Sequence, residues 1–534
     1  MAISTLESGR TAGGRPCAET AAYALLEEQP EASAGRALFA PTSLWAPPLV
    51  FAVGISLFAP NLTWLVLVIV LSAFVMAVSA LRLAGALAPP AWSPRQPVEI
   101  APAMTVIVAL YNEARVVAGL MTQLARLDYP RDRLEIILAL EQDDRTTIAA
   151  ARAAARRAPV ATRVLVAPPE GPRTKPRALN FALQAARGAL IAVYDAEDAP
   201  RPDQLMAAAE AFEADPGLGV VQAPLGWYNA RHNWLTRQFA LEYAAQFRAL
   251  LPAYHRLGLP IPLGGTSNVF RRAALEETGA WDPYNVTEDA DLGFRLARLG
   301  WRAGLVEPGT DEEAPQTLKD WTGQRSRWLK GHAVTWLVQM RRARELASSA
   351  GLRALAGLQL SLLANMACAA GYPFGLAMIM VTGTAALVGA VSPAGVAALS
   401  AGVAAYLAAM ACAAAGARRA GFRPRLLDLA AMPAYWLLQA PAAVRALHEL
   451  ARRPYVWVKT RHGVSTARRE APHVPDSHDL SPTGDRGPVR VRRTARLPAR
   501  RSAAPAHGAL DSGGDPGRRG VHLRARPAVR PDGA

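Results

Sequence analysis

Met104-Thr-Val-Ile-Val-Ala-Leu110 is a short, largely apolar, β-branched run that ends abruptly in the polar Tyr111-Asn-Glu113. A strand buried on both faces of a parallel sheet reads this way, because helices cover the sheet on each side. Val116 to Leu127 then has helical spacing, and Leu134-Glu-Ile-Ile-Leu-Ala-Leu140 repeats the strand character. Ile148 to Arg157 is helical, Arg163-Val-Leu-Val-Ala167 a third strand, Ala178 to Arg187 a helix, and Ala189-Leu-Ile-Ala-Val-Tyr194 a fourth strand. Strands alternating with helices imply an α/β fold with a right-handed, doubly wound, mostly parallel sheet. Ligands of such sheets bind beyond the carboxyl ends of the strands. The residues that follow each strand therefore decide the chemistry.

Those residues are polar and acidic. Tyr111-Asn-Glu113 follows the first strand, Glu141-Gln-Asp-Asp144 the second and Asp195-Ala-Glu-Asp198 the fourth. Between them Pro172-Arg-Thr-Lys-Pro-Arg177 forms a basic, proline-restricted loop that carries Lys175. Acids and bases at one sheet edge suit a metal-bound diphosphate: carboxylates hold Mg²⁺ or Mn²⁺, and Lys and Arg balance phosphate oxygens. No Gly-x-Gly-x-x-Gly follows the first strand and no Walker sequence is present. A dinucleotide fold or a P-loop NTPase is thereby excluded.

Further along, Asn285-Val-Thr-Glu-Asp-Ala-Asp291 places Glu288 and Asp289 at the start of an amphipathic helix, with Thr287 or Asn285 as its cap. Gln324-Arg-Ser-Arg-Trp328 opens another helical segment, in which Gln324, Arg327, Trp328 and Gly331 share a face. Arginine there offers paired donors to a pyrophosphate, and tryptophan a flat platform for a sugar ring. Pro262-Leu-Gly-Gly-Thr-Ser-Asn268 is a turn whose paired glycines allow close backbone approach.

In this order, Ala109-Leu-Tyr-Asn-Glu113, the acid pair Asp143 and Asp144, Lys175, Asp195-Ala-Glu-Asp198, Thr287-Glu-Asp289 and Gln324-Arg-Ser-Arg-Trp328 resemble the processive membrane glycosyltransferases of family 2. That group includes the cellulose, chitin and hyaluronan synthases, and the resemblance covers roughly residues 100–345. It implies a GT-A-like sheet flanked by transmembrane helices at both ends. It also implies inverting transfer of a sugar from a UDP-sugar to a growing polysaccharide, processive and coupled to export. By similarity Asp289 is the base, with Glu288 tuning or positioning it, and Asp195 is the first metal ligand. The second ligand is Glu197 or Asp198, because Asp-Ala-Glu-Asp departs from the usual D-x-D. The nucleotide would meet Tyr111, Glu113, Lys175, Asp195, Gln324, Arg325, Arg327 and Trp328, and either Glu141 or Asp143 and Asp144. Gly265 and Thr266, with Trp328, would line the acceptor. The implied partners are a UDP-sugar, a glycan acceptor, the lipid bilayer and export-complex proteins. Two other readings compete: single transfer to a lipid acceptor, and a catalytically silent nucleotide-sugar-binding subunit of a secretion complex.

Composition agrees with a membrane setting. Of 534 residues 51% are hydrophobic, and the apolar residues are clustered. Leu62 to Leu81 is long enough to span a bilayer without a charge, and with the apolar residues before Pro60 it suggests a hairpin over 45–88. Three or four transmembrane or interfacial helices follow over 354–447, after a transferase domain at 100–330 and an interfacial helix at 331–353. Leu426 to Leu447 is the last of these apolar blocks. Residues 1–44 read as disordered or loosely helical, 448–465 as a basic juxtamembrane element with Trp457-Val-Lys-Thr-Arg461, and 466–534 as a disordered Arg/Pro-rich tail. Of the net charge of +16, +7 falls in that tail, where 14 arginines face 7 acids, and it carries no nucleic-acid motif. The basic loop Arg418–Arg425 should face the cytoplasm, and the resemblance implies an inner-membrane protein with its transferase domain on that side. Three scattered cysteines, Cys17, Cys368 and Cys412, exclude a disulfide framework.

Overall fold

The computed structural model describes residues 17–38, 50–51 and 53–455. The four expected strands form as read: β1 (Met104–Leu110), β2 (Leu134–Glu141), β3 (Ala161–Ala167) and β4 (Leu190–Tyr194). With β6 (Leu218–Gln222), β8 (Asn268–Arg271) and β9 (Arg302–Leu305) they build a seven-stranded sheet in the order β3-β2-β1-β4-β8-β6-β9. Met104 of β1 lies level with Leu134 of β2 and Leu190 of β4, so these central strands start together, and β4 ends at Tyr194, level with Val108 and two residues before β1 does. Every pairing is parallel except those of β8, which runs antiparallel to both β4 and β6. Its first residue, Asn268, pairs with Val193 and Gln222. The Gly264–Ser267 turn is thus delivered to the same edge as Asp195. This is the mixed sheet of a GT-A-like fold. A second sheet, β5 (Ala199–Pro200), β10 (Thr310–Glu312) and β7 (Leu225–Trp227), closes one side of that edge.

The core lies on both faces of the large sheet. Ile107, Ile137, Ile191 and Phe270 point to one layer with the helix Lys175–Leu183, and Val106, Val108, Leu138 and Val269 to the other with Val117–Leu124. Each is buried to within 2% of full coverage, worth roughly 1.5–3 kcal/mol per side chain before entropy is counted.

Within the N-terminal stretch expected to be disordered or loosely helical, Ala18–Glu28 is a helix docked on the domain. Asn180 Nδ2 donates to Ala21 O (3.1 Å), and Asp282 accepts from Ala34 N (2.6 Å) and Ser33 Oγ (3.0 Å). Three helices are long and apolar enough to cross a membrane among the described residues: Pro60–Leu87, Gly351–Leu387 and Pro393–Arg419. The first half of the expected hairpin lies partly outside the described residues; 53–58 are helical. Leu426 to Leu447, expected as a further span, is instead broken into Leu426–Ala430, Met432–Leu437 and Gln439–Arg452. Pro433 and Pro441 remove two backbone donors there, and the buried Asp428 accepts from Arg237 Nε (3.2 Å). The element Trp457–Arg461 and the tail 466–534 lie outside the described residues.

Candidate active site

The carboxyl edge of the sheet opens into a cavity of about 950 Å³ that brings together groups from distant parts of the chain. Tyr111, Glu113, Glu141, Lys175, Asp195, Glu197, Gly265, Thr266, Glu288, Asp289, Gln324, Arg325, Arg327 and Trp328 all line it. Lys175 occupies the first turn of its helix, with Pro176 behind it fixing the backbone. Its ammonium pairs with Asp195 Oδ1 at 2.7 Å and donates to Gly265 O. One cation therefore ties the turn after β4 to the turn before β8. Asp195 and the neighbouring Asp289 and Glu288 outweigh the burial of Lys175 and hold its pKa above the usual range.

Glu288 and Asp289 begin the helix Glu288–Arg298 and are 5% and 4% exposed. Neither Thr287 nor Asn285 caps this helix with its side chain, contrary to the sequence reading. Asn285 instead holds the turn in place, accepting from Thr287 N (3.1 Å) and donating to Thr335 Oγ1 (2.9 Å). Gly331 explains why: a Cβ there would meet Thr287 Cγ2 at 2.3 Å. The helix Leu318–Arg341 packs directly on the acidic turn. Asp291 faces the interior, paired with Arg295 (2.7 Å) and Gln339 (2.7 Å). Asp289 differs from it, because its Oδ1 is buried with no hydrogen-bond partner among the described residues. A Cβ on Gly265 would lie 3.7 Å from Asp289 Oδ2, so the glycine turn and the acid share one wall. Burial, then Glu288, pushes the Asp289 carboxyl well above the usual range, against the pull of Lys175.

Not every residue singled out in the sequence faces the cavity. Of the acids after β2 only Glu141 does, and it is paired with Arg177. Asp144 is the cap of the helix Arg145–Ala155: it accepts from Thr147 N (3.1 Å) and Asn112 N (2.5 Å). Those bonds overcome its burial and hold its pKa below the usual carboxylate range. Asp143 pairs with Arg173 at 2.6 Å. Asp198 is fully buried, and its Oδ2 accepts from Asp195 N (2.7 Å) and Thr266 Oγ1, which makes it the brace of the turn that carries Asp195. Arg325 is turned to Glu242, in a double ion pair at 2.8 and 2.5 Å, and stacks over Phe239, Trp321 and Trp328. It orients Trp328 and leaves Arg327 as the guanidinium beside Glu288, Asp195 and Glu197.

Residues 102–331 match the family model described as glycosyltransferase like family 2. This stretch is a family 2 glycosyltransferase domain. The chain is 28% identical over 245 residues to a probable glycosyltransferase, YdaM, of Bacillus subtilis, covering 46% of this chain and 58% of that protein. It is 30% identical over 233 residues to a beta-monoglucosyldiacylglycerol synthase of Synechocystis, covering 43% and 48%. The chain thus spans about half the length of the curated relatives it matches. Among solved structures, a mannosyltransferase of Pyrobaculum calidifontis in complex with GDP-Man and Mn²⁺ aligns over 72% of this chain and 99% of that one, at 21% identity and a TM-score of 0.43.

Several cavity groups of the transferase domain escaped the sequence reading, Glu242 among them, and two of these matter most. Glu312, at the end of β10, keeps Oε1 buried with no hydrogen-bond partner among the described residues. Burial and the charges of Asp198, Glu197 and Asp195 push its carboxyl well above the usual range. The trio Asp311-Glu312-Glu313 was the available signal. Tyr243, stacked on Trp328 at 6.0 Å, is the other, and its sequence context reads only as helix. No three His, Cys, Asp or Glu side chains enclose an ion by themselves among the described residues. Yet carboxylates outnumber cations at this edge, and Asp195 and Glu197 both face the cavity. A divalent ion fits there if donor phosphates complete its oxygen shell.

Proposed function

We propose that the transferase domain moves a sugar, with inversion, from a nucleoside-diphosphate sugar to an acceptor hydroxyl that reaches the cavity from the membrane side. The observation that carries this reading is Asp289: a buried carboxylate with one unpartnered oxygen, in the same cavity as Lys175, Asp195 and Arg327. Asp289 takes the hydroxyl proton as the acceptor oxygen bonds to the anomeric carbon. The bond from that carbon to the diphosphate oxygen breaks, and its electron pair leaves with the nucleoside diphosphate. Lys175 and Arg327 offset the charge that develops on the leaving group. Asp195 and Glu197 would hold Mg²⁺ or Mn²⁺, which supplies Lewis-acid stabilisation of the diphosphate when bound. Tyr111, Glu113 and Glu141 form the nucleotide end, Gly265, Thr266 and Trp328 the acceptor end, and Gln324 Oε1, also unpartnered, awaits a donor from substrate.

UDP is the leaving group favoured by the motif set, and the domain faces the cytoplasm of a multi-pass inner-membrane protein. The test is nucleotide release by the reconstituted protein across UDP- and GDP-sugars, with and without Mg²⁺ or Mn²⁺, beside Asp289→Asn. Metal-dependent release with one sugar, lost in the variant, is expected. Equal release by the variant would sink the assignment of the base. Processive extension and export, which the motif set implies, would show as products many sugars long.

A further inference from the structure

Glu312 stands at the end of β10, which pairs with β5 on one side and β7 on the other. β5 begins at Ala199, directly after Asp198, so the small sheet carries Glu312 to the flank of the Asp195–Asp198 turn. Successive side chains of a strand point to opposite faces, and that alternation decides between the neighbouring acids Asp311 and Glu312. Asp311 is exposed and lies over Gly226, where a Cβ would come within 2.8 Å of its Oδ1. Glu312 lines the cavity, is 8% exposed, and keeps Oε1 buried without a hydrogen-bond partner among the described residues.

The neighbouring cations answer to other acids. Lys175 is bound to Asp195 and Arg325 to Glu242, while Arg327 lies beside Glu288, Asp195 and Glu197. No three His, Cys, Asp or Glu among the described residues are arranged to hold a metal, so Glu312 does not complete a ligand set with Asp195 and Glu197. What does flank it is an aromatic wall. Trp227, level with Glu312 in the pairing of β7 and β10, packs on Tyr243 at 4.2 Å, and Tyr243 on Trp328 at 6.0 Å. The charge of Glu312 is felt on both sides, by Tyr243 and among Asp195, Glu197 and Asp198.

A carboxyl beside aromatic rings suits a sugar, whose flat C–H faces lie on the rings while each rim hydroxyl needs a partner on leaving water. A carboxyl meets that need in either protonation state, accepting when ionised and both donating and accepting when protonated. Position decides which sugar. Asp195 and Glu197 lie toward the diphosphate and Trp328 toward the acceptor, and the sugar in transit lies between them.

We propose that Glu312 binds a ring hydroxyl of the donor's sugar and thereby selects which sugar is transferred. The inference rests on the transfer reading above and deepens it: Glu312 discriminates among sugar nucleotides and takes no part in breaking the bond.

The experiment measures equilibrium binding to the reconstituted full chain in Mn²⁺. The probes are UDP, GDP, UDP-glucose, GDP-mannose and the singly deoxygenated forms of both sugar nucleotides. In the parent, one sugar nucleotide should bind about 10- to 100-fold more tightly than the deoxy form lacking the recognised hydroxyl, the range for a lost hydrogen bond to a charged group. Glu312→Met keeps the length of the side chain but offers no carboxyl oxygen. It should bind those two probes equally, with the affinity for the bare nucleotide unchanged, and Glu312→Gln should restore part of the difference. Both variants should melt no lower than the parent, because a buried carboxyl crowded by acids gives way to an uncharged group. A purely structural Glu312 would instead lower the melting temperature and weaken nucleotide and sugar nucleotide alike, which overturns the inference. Discrimination that survives Glu312→Met, or a parent that distinguishes no deoxy form, also overturns it and leaves the transfer reading intact. If neither UDP nor GDP binds, the transfer reading itself fails and takes the inference with it.

Discussion

Asp289 sits at the first turn of its helix, where free backbone N–H groups favour a negative charge, yet burial and Glu288 oppose that charge. The balance leaves a carboxylate that gains by taking a proton, as the proposed base must. Asp289→Asn should lower turnover by about 10²–10⁴-fold with nucleotide binding little changed, and Glu288→Gln should do less; kcat and KM for donor separate the two. His332, in the cavity wall, offers a test of stability. Burial, aided by Arg325, depresses its pKa from 6.5 to about 4. Between those values the unfolded chain binds a proton that the folded one does not, so its contribution is complete above pH 6.5 and is lost as pH falls toward 4. The melting temperature of the parent should therefore fall more steeply than that of His332→Gln over this window, and parallel curves would refute the idea. Taking the difference matters, because Asp282, raised to about 6 chiefly by burial, acts with the opposite sign. Individual residues were the least legible level of this sequence. Asp143, Asp144 and Asp198 look like site acids because a carboxylate that caps a helix or braces a turn is spelled the same way as one that faces a ligand. Arg325 and Arg327 are two letters apart, and only Glu242, from a separate helix, decides which of them is taken.

At the scale of elements, β1, β2 and β4 were readable because each couples an apolar run to an abrupt polar end, and β3 by its apolar run before Pro168-Pro169. β8 was not: four residues carry no period, and Asn268-Val-Phe-Arg271 took its direction from pairing with β4 and β6. The strands of the small sheet are shorter still, which is why Glu312 was missed. The fit between the helix Leu318–Arg341 and the turn before Glu288 was equally hidden, since Gly331 announces small size but not what it makes room for. Gly331→Ala would drive Cβ into Thr287 and should cost about 1–3 kcal/mol, with a fall in kcat because the turn carries Glu288 and Asp289. Thr287→Ala removes the methyl in its path, so the double variant should regain part of the lost melting temperature. Additive losses would show that the two residues do not meet.

For the whole molecule, apolar length announced the three membrane-length helices, while the way they lock to the transferase domain was written in single residues. Arg419, at the end of Pro393–Arg419, reaches across to the last turn of Pro60–Leu87. Its guanidinium donates to Gly85 O (2.7 Å), Ala86 O (3.0 Å), Ala88 O (2.7 Å) and Arg248 O (3.1 Å). The terminal carbonyls of a helix have no partners within it, and one planar cation here joins those of a membrane-length helix to the segment 246–250 under the cavity. Arg419→Met should therefore destabilise the detergent-solubilised protein by about 2 kcal/mol, the order expected when bonds to a charged donor are lost. Arg419→Lys should recover only a fraction, because an ammonium cannot match four acceptors held in the spread of a guanidinium. Both are read from melting in detergent, with nucleotide binding as the check that the transferase domain stays folded. If Lys restored the parent's melting temperature, a point charge at the helix end would suffice, and the link between membrane helices and catalytic domain would be electrostatic and not a geometric clasp.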